Sequence, residues 1–160
     1  GRARAFTIAR SSCERRLLDL TDCPFAIHAA RGHEPGRGHY HRLAARCGST
    51  ELGSVRVRNG GFRQIELTHL VVQPRFRGRE IGRALLRTSA DMAVVFGARF
   101  ISLSSEDDGT GRLDAWYRRS GFVDCGFDGL GQRRFRGAAG ALLARLDRTP
   151  LQLTLDPSEG

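Results

Sequence analysis

The chain has 160 residues, the length of one ordinary domain. Apolar residues make up 40% and charged residues 27%, which excludes a wholly disordered chain. Its 26 basic residues against 17 acidic ones give a net charge of +9. That balance favours anionic partners, such as a phosphorylated cofactor, nucleic acid or an acidic protein, and argues against polycationic substrates.

All 26 basic residues are arginine. A GC-rich genome that replaces lysine codons accounts for this; avoidance of lysine modification is the alternative. No apolar run approaches 18 residues, so no transmembrane helix is expected. No apolar stretch follows the basic N-terminus as a secretory signal would require, although residues 1–10 leave an Arg-rich transit remnant open. The expected location is cytoplasmic, and no membrane partner is expected. Cys13, Cys23, Cys47 and Cys125 are widely spaced without a CxxC pair, so they read as reduced thiols rather than a zinc site. No metal is expected. His33, His39 and His41 fall in a Gly-rich stretch that reads as a solvated loop.

Residues 1–10 suit a short strand with Phe6 and Ile8 on one face. Ser12 then caps a short helix over Cys13–Leu20. Phe25–Ala29 suits a strand or a second helical segment, and Arg31–Gly38 reads as a loop. A β-meander follows: Tyr40–Cys47, a turn at Gly48–Thr50, Glu51–Arg58, a turn at Asn59–Gly61, and Gln64–Val72. Pro74 and Gly78 bound a connection. Ile81, Ala84, Leu85, Met92 and Phe96 recur at helical spacing, which predicts a helix from about Arg79 to Phe96 with Gly97 as its stop. Ala98–Ser104 reads as a strand, Gly111–Arg119 as a helix ended by Gly121, and Phe122–Phe127 as a strand. Phe135–Leu146 is ambiguous, and a late strand is preferred. Leu151–Leu155 alternates like a strand, and residues 156–160 read as a frayed tail. The order predicts one α/β (α+β) domain over residues 1–160, built on a single mixed sheet.

The segment from Gln64 to Leu86 carries the chemistry. A buried strand ends, an Arg/Gly loop follows, and an amphipathic helix begins. The free N–H groups of such a helix start, with the positive end of its dipole behind them, suit a pyrophosphate. Gly78 lets backbone approach phosphate without a Cβ clash. Arg75, Arg77, Arg79 and Arg83 add positive charge.

This segment resembles the acyl-CoA-binding motif of the GNAT (Gcn5-related N-acetyltransferase) superfamily. Leu70, Val72, Pro74, Arg75, Gly78, Ile81, Gly82, Leu85 and Leu86 match the pattern of strand, Gly-containing loop and helix. Ala115-Trp116-Tyr117-Arg118-Arg119-Ser120-Gly121-Phe122 resembles a second family block at the usual distance downstream. Together they cover about residues 40–127.

The resemblance implies a mostly antiparallel sheet split into a V-shaped cleft and flanked by helices. It implies acetyl-CoA as acyl donor, with pantetheine against the Leu70, Val71 and Val72 backbone. The pyrophosphate would lie over Arg77, Gly78, Arg79, Glu80, Ile81, Gly82 and Arg83. An amine, on a small molecule or a protein, would attack the thioester directly. Tyr117 falls where relatives place a general acid for the leaving thiolate; packing against the cofactor is its other reading. Glu66 is the first candidate base, with a purely structural carboxylate as the alternative. His69 and Glu106 are further candidates. Strand alternation puts His69 on the face opposite Glu66 unless a bulge intervenes.

Two positions depart from the family. Glu80 stands where Gly or Ala is usual. A carboxylate about 6 Å from a diphosphate would cost on the order of 2–3 kcal/mol at an effective dielectric of 20, and less in solvent. Thr110-Gly111 replaces a usual Asn. The alternatives to an N-acetyltransferase are therefore a sensor or interaction module with weakened CoA use, and an RNA- or aminoacyl-tRNA-directed acetyltransferase suited to the +9 charge. Both monomer and homodimer are open.

Overall fold

The computed structural model describes residues 24–77, 80–146 and 153–155. Among them run β1 (Ala26–Glu34), β2 (Gly38–Cys47), β3 (Thr50–Asn59), β4 (Gln64–Val72) and a 3-10 turn (Pro74–Phe76). Then come α1 (Ile81–Val95), β5 (Phe100–Ser104), α2 (Arg112–Ser120), β6 (Val123–Phe127), β7 (Arg133–Ala138), α3 (Ala139–Leu146) and β8 (Leu153–Leu155). The strands form one sheet in the order β6-β7-β5-β4-β3-β2-β1-β8. Only β4/β5 and β1/β8 run parallel. The strand and helix expected before Cys23, the frayed tail, and the loop residues Gly78 and Arg79 lie outside the described residues.

The meander follows from alternation. Leu43 and Ala45, Val55 and Val57, and Ile65 and Leu67 are buried in pairs two residues apart on β2, β3 and β4. α1 covers this face. Its buried positions Ile81, Ala84, Leu85, Thr88 and Met92 recur at helical spacing. The buried hydroxyls of Thr88 and Ser89 donate to the carbonyls of Ala84 and Leu85 one turn back, which satisfies them without a tertiary partner. α1 stops in a Schellman motif. Gly97, at φ +81°, donates to the Val94 carbonyl, and Ala98 donates to Ala93. Phe96, expected on the buried stripe, sits at this stop and is half exposed.

Three other expectations change. Arg31–Gly38 is not a loop: Arg31–Glu34 pairs in register with Gly38–His41, and only Pro35–Arg37 turns. The Tyr40 ring lies across Gly32 on the opposed strand, so an aromatic side chain fills the surface that the glycine leaves bare. The histidines therefore stand on hairpin strands. The late strand is shorter than expected: β7 ends at Ala138, and the Ala/Leu-rich remainder takes its helical propensity as α3, burying Leu142 and Leu146. Cys47 is disulfide-bonded rather than a reduced thiol, whereas Cys125 is free and exposed.

α2 starts without a side-chain cap at Gly111, but Asp107 supplies one from four residues upstream. Its carboxylate accepts the N–H groups of Gly109, Gly111, Leu113 and Asp114. The Gly111 N–H is the largest influence holding this carboxyl below its ordinary value. Asp124 is held down first by the Gly126 N–H, and Asp128 first by the Ser104 hydroxyl. A depressed carboxyl contributes stability that is complete above its unfolded value of about 4 and is lost as pH falls through the lower folded value. Asp107→Ala should therefore lower the melting temperature at pH 7. Its difference from the parent chain should shrink towards pH 2. Thermal melts across that range check this, and a pH-independent difference would contradict it.

Candidate active site

β4 and β5 pair only from Gln64/Phe100 to Leu67/Leu103. Beyond that point the strands part. The β5-facing backbone edge of β4 from Thr68 onward has no strand partner among the described residues. Leu67–Leu70 form one wall of the resulting cleft, Leu103, Ser104 and Glu106 the other, and Leu113 and Tyr117 of α2 close its end.

A β-bulge shapes the first wall. Ser54 pairs with Val71 but Arg56 pairs with Thr68, so three steps on β4 answer two on β3. His69 absorbs the extra residue at φ +54°. Parity reverses across the bulge: Ile65 and Leu67 point into the core before it, and Leu70 and Val72 pack on the same core after it. His69 is exposed, and Val71 is about half exposed at 49%.

Tyr117 is buried at 3% exposure among Trp116, Phe122 and Phe135, with ring centroids 5.1, 5.7 and 5.5 Å away. Tyr117 is one of the residues that line the cleft. Burial first, then the charges of Glu106 and Asp114, push its ionisation well above the ordinary phenol value. It therefore stays protonated across physiological pH.

The carboxylates separate. Glu106 lines the cleft beside Tyr117, is exposed, and has no ion-pair partner among the described residues. Glu66 does not line the cleft. It stands on the other face of β4 from Leu67, and its Oε2 is 3.2 Å from Arg134 Nη1 on β7. The same Nη1 donates to Ser104 Oγ at 3.0 Å. Sequence reading missed Arg134, because 68 residues separate it from Glu66.

At the other end, Arg77 Nε donates to the Val72 carbonyl at 3.1 Å, which ties the turn back to the strand. Glu80 precedes α1 at φ +68°, a left-handed conformation that glycine adopts without strain. This explains why glycine suits the position. Its side chain is 63% exposed and faces Arg83 Nε at 3.6 Å. The first bond of α1 runs from the Ala84 N–H to the Glu80 carbonyl, and Glu80 caps nothing with its side chain. The N–H groups ahead of Ala84 thus lack helical acceptors. Ile81 is buried. A Cβ on Gly82 would come within 3.1 Å of the Trp116 ring, so the glycine lets α2 close against the start of α1.

Residues 38–124, more than half of the chain, match the family model for the acetyltransferase (GNAT) domain. The chain belongs to the GNAT acetyltransferase domain family. Solved GNAT-type structures share its fold. A GNAT-family acetyltransferase from Staphylococcus aureus aligns at TM-score 0.56 and 15% identity, over 62% of this chain and 68% of that one. The PaiA N-acetyltransferase of Thermoplasma acidophilum, solved in complex with coenzyme A, aligns at TM-score 0.53 and 21% identity, over 61% of this chain and 59% of that one. An IAA acetyltransferase from Bacillus cereus aligns at TM-score 0.55 and 18% identity, over 62% and 77%. No curated protein matches the sequence. Among the described residues, no helix is long and apolar enough to cross a membrane.

Proposed function

We propose that this GNAT domain transfers an acetyl group from acetyl-CoA to an amine by direct attack on the thioester. The observation that carries the reading is the cleft where β4 and β5 part, with the buried Tyr117 of α2 among the residues that line it. The edge of β4 at Leu70, Val71 and Val72 that has no strand partner among the described residues suits an amide-bearing pantetheine arm, with the Val72 carbonyl already accepting from Arg77. The start of α1, with Arg77 and Arg83 beside it, suits the diphosphate. The thioester supplies an activated acyl carbon and a thiolate leaving group.

Tyr117 donates its hydrogen bond to the sulfur as the C–S bond breaks. Because the phenol is held above its ordinary value, full proton loss from it is uphill. It acts by sharing its proton in the transition state while the net proton passes from amine to thiolate. Glu106, unpaired at the cleft, takes the first proton from the incoming ammonium. Glu66, paired with Arg134, is less free to do so. Isothermal titration with acetyl-CoA, followed by free-thiol detection over a panel of amines, tests this reading. Absence of heat and of a thermal shift at millimolar acetyl-CoA would overturn it.

A second reading, a module with weakened CoA use, is favoured by Glu80 at the entrance to α1. Arg83 offsets part of its charge. Glu80→Gly should tighten CoA binding several-fold, or about 1 kcal/mol after screening. It should also raise the melting temperature, by removing a left-handed non-glycine residue. Glu80→Gln separates the two causes, since it removes the charge and keeps the backbone conformation. Tighter binding in both variants assigns the effect to charge. Weaker binding in both would contradict the repulsion.

A further inference from the structure

The face of the sheet away from α1 carries a polar patch where β4, β5 and β7 meet. Glu66 and Thr68 alternate with the core residues Ile65 and Leu67. Ser102 is in register with Glu66, and Arg134 with Ser104. Two of these residues, Thr68 and Ser104, also line the cleft.

The polar groups in this patch are incompletely matched. Thr68 Oγ1 and Ser102 Oγ are buried without a hydrogen-bond partner among the described residues, and Ser102 as a residue is only 4% exposed. A buried hydroxyl left alone costs free energy that a structural role does not return. The Glu66–Arg134 pair beside them is a single contact at 3.2 Å, with each side chain 29% exposed. Elsewhere on the sheet the contrast is clear. Arg42 grips Glu51 with both terminal nitrogens, one at 2.9 Å, and Glu34 is shared by Arg56 and Arg58. Those pairs have the geometry of structural clamps. Arg134 instead spends one nitrogen on both Glu66 and the Ser104 hydroxyl. Arg136, next along the strand on this face, stacks on Phe100 with no carboxylate partner among the described residues.

A partly exposed, single-point ion pair opens at little cost. A ligand bearing one positive and one negative group can replace each partner for the other without leaving a charge unpaired. Opening the pair would bring the two bare hydroxyls alongside within reach as donors to its carboxylate.

We propose that the acyl acceptor is a zwitterion, a free amino acid whose carboxylate binds Arg134 and whose ammonium faces Glu66 beside the cleft, next to its lining residues Thr68 and Ser104. The inference rests on the acetyltransferase reading and names its acceptor class. The acceptor loses one ammonium proton to Glu106, the carboxylate that lines the cleft. Its nitrogen lone pair then forms the N–C bond as the C–S bond breaks, and the second N–H proton ends on the thiolate. The products are the N-acetylamino acid, free CoA and one proton.

The test compares acceptors that differ only in the carboxylate: the twenty L-amino acids, each beside its own decarboxylated amine, such as phenethylamine for phenylalanine and ethylamine for alanine. At least one amino acid should exceed its decarboxylated partner by about 100-fold in kcat/KM, as expected where a site built for a polar group rejects an analogue lacking it. Arg134→Gln should bring that ratio close to one, mainly through KM for the amino acid, with acetyl-CoA affinity unchanged by titration. Arg136→Gln should leave the ratio intact. Saturation-transfer NMR of the same amino acid with the CoA-loaded chain gives a readout independent of turnover, and its signal should vanish in Arg134→Gln. Equal use of amines without a carboxylate would overturn the proposal, as would binding of acetyl-CoA with no amino acid bound or acetylated. Failure to bind acetyl-CoA would instead remove the acetyltransferase reading itself.

Discussion

Tyr117→Phe is expected to lower the turnover number about 10²–10⁴-fold while leaving acetyl-CoA affinity almost unchanged. The substitution keeps the ring that packs among Trp116, Phe122 and Phe135 and removes only the phenol oxygen. The ring contacts are kept, so the fold should hold. What is lost is a donor aimed at charge that exists only while the C–S bond breaks. Such a loss lowers kcat and kcat/KM together. The same geometry predicts the pH profile. A phenol pushed well above its ordinary value does not ionise below pH 10, so no falling limb from Tyr117 should appear there. If the residue merely packs against the cofactor, Tyr117→Phe should be nearly silent and Tyr117→Ala should weaken CoA binding. Pre-steady-state measurement of thiol release in Tyr117→Phe distinguishes the two, and near-normal release would remove Tyr117 from the mechanism.

The features that were legible in the sequence are those written in local pattern. β4 runs from Gln64 to Val72 as alternation and flanking residues predict, and the stop at Gly97 follows from a glycine past the last helical turn. Less legible was anything set by a partner far along the chain. The bulge at His69 carries no glycine to announce it, since a histidine holds the positive φ. Glu66 reads as a base when strand position alone is considered. Its engagement with Arg134 depends on β7 lying beside β5, which no local pattern specifies. Glu106 reads as one carboxylate in an acidic loop. The next residue, Asp107, is committed to the α2 backbone, while Glu106 is left to the cleft. Asp107 itself had a signal: an aspartate followed by Gly109 and Gly111 ahead of a helix is the composition of a side-chain cap. The hairpin at Arg31–Gly38 was hidden by its glycines, which normally mark loops and here are tolerated because Tyr40 covers Gly32.

Phe135→Ala should produce the largest loss of stability and should reach the active site as well. Phe135 on β7 is completely buried, and its ring lies 5.5 Å from that of Tyr117. Truncating a fully buried phenylalanine removes its transfer free energy and leaves a void, about 3–5 kcal/mol together. Against a typical domain stability of about 5–15 kcal/mol, that is a large fraction. The neighbours can collapse only partly. On one side stands α2, fixed to the backbone by the Asp107 cap. On the other stands β7, bonded along its length to β5. The void would therefore open beside the Tyr117 ring, and a residue that lines the cleft would lose its fixed position. Turnover per folded molecule should fall even at a temperature where the variant remains folded, whereas CoA affinity, set by β4 and the start of α1, should change little. Phe135→Leu, which refills most of the volume, should recover stability and turnover together. Denaturant unfolding and active-site titration on the three chains check both halves. Normal turnover per folded molecule in Phe135→Ala would show that the rest of α2 positions Tyr117 without the β7 ring.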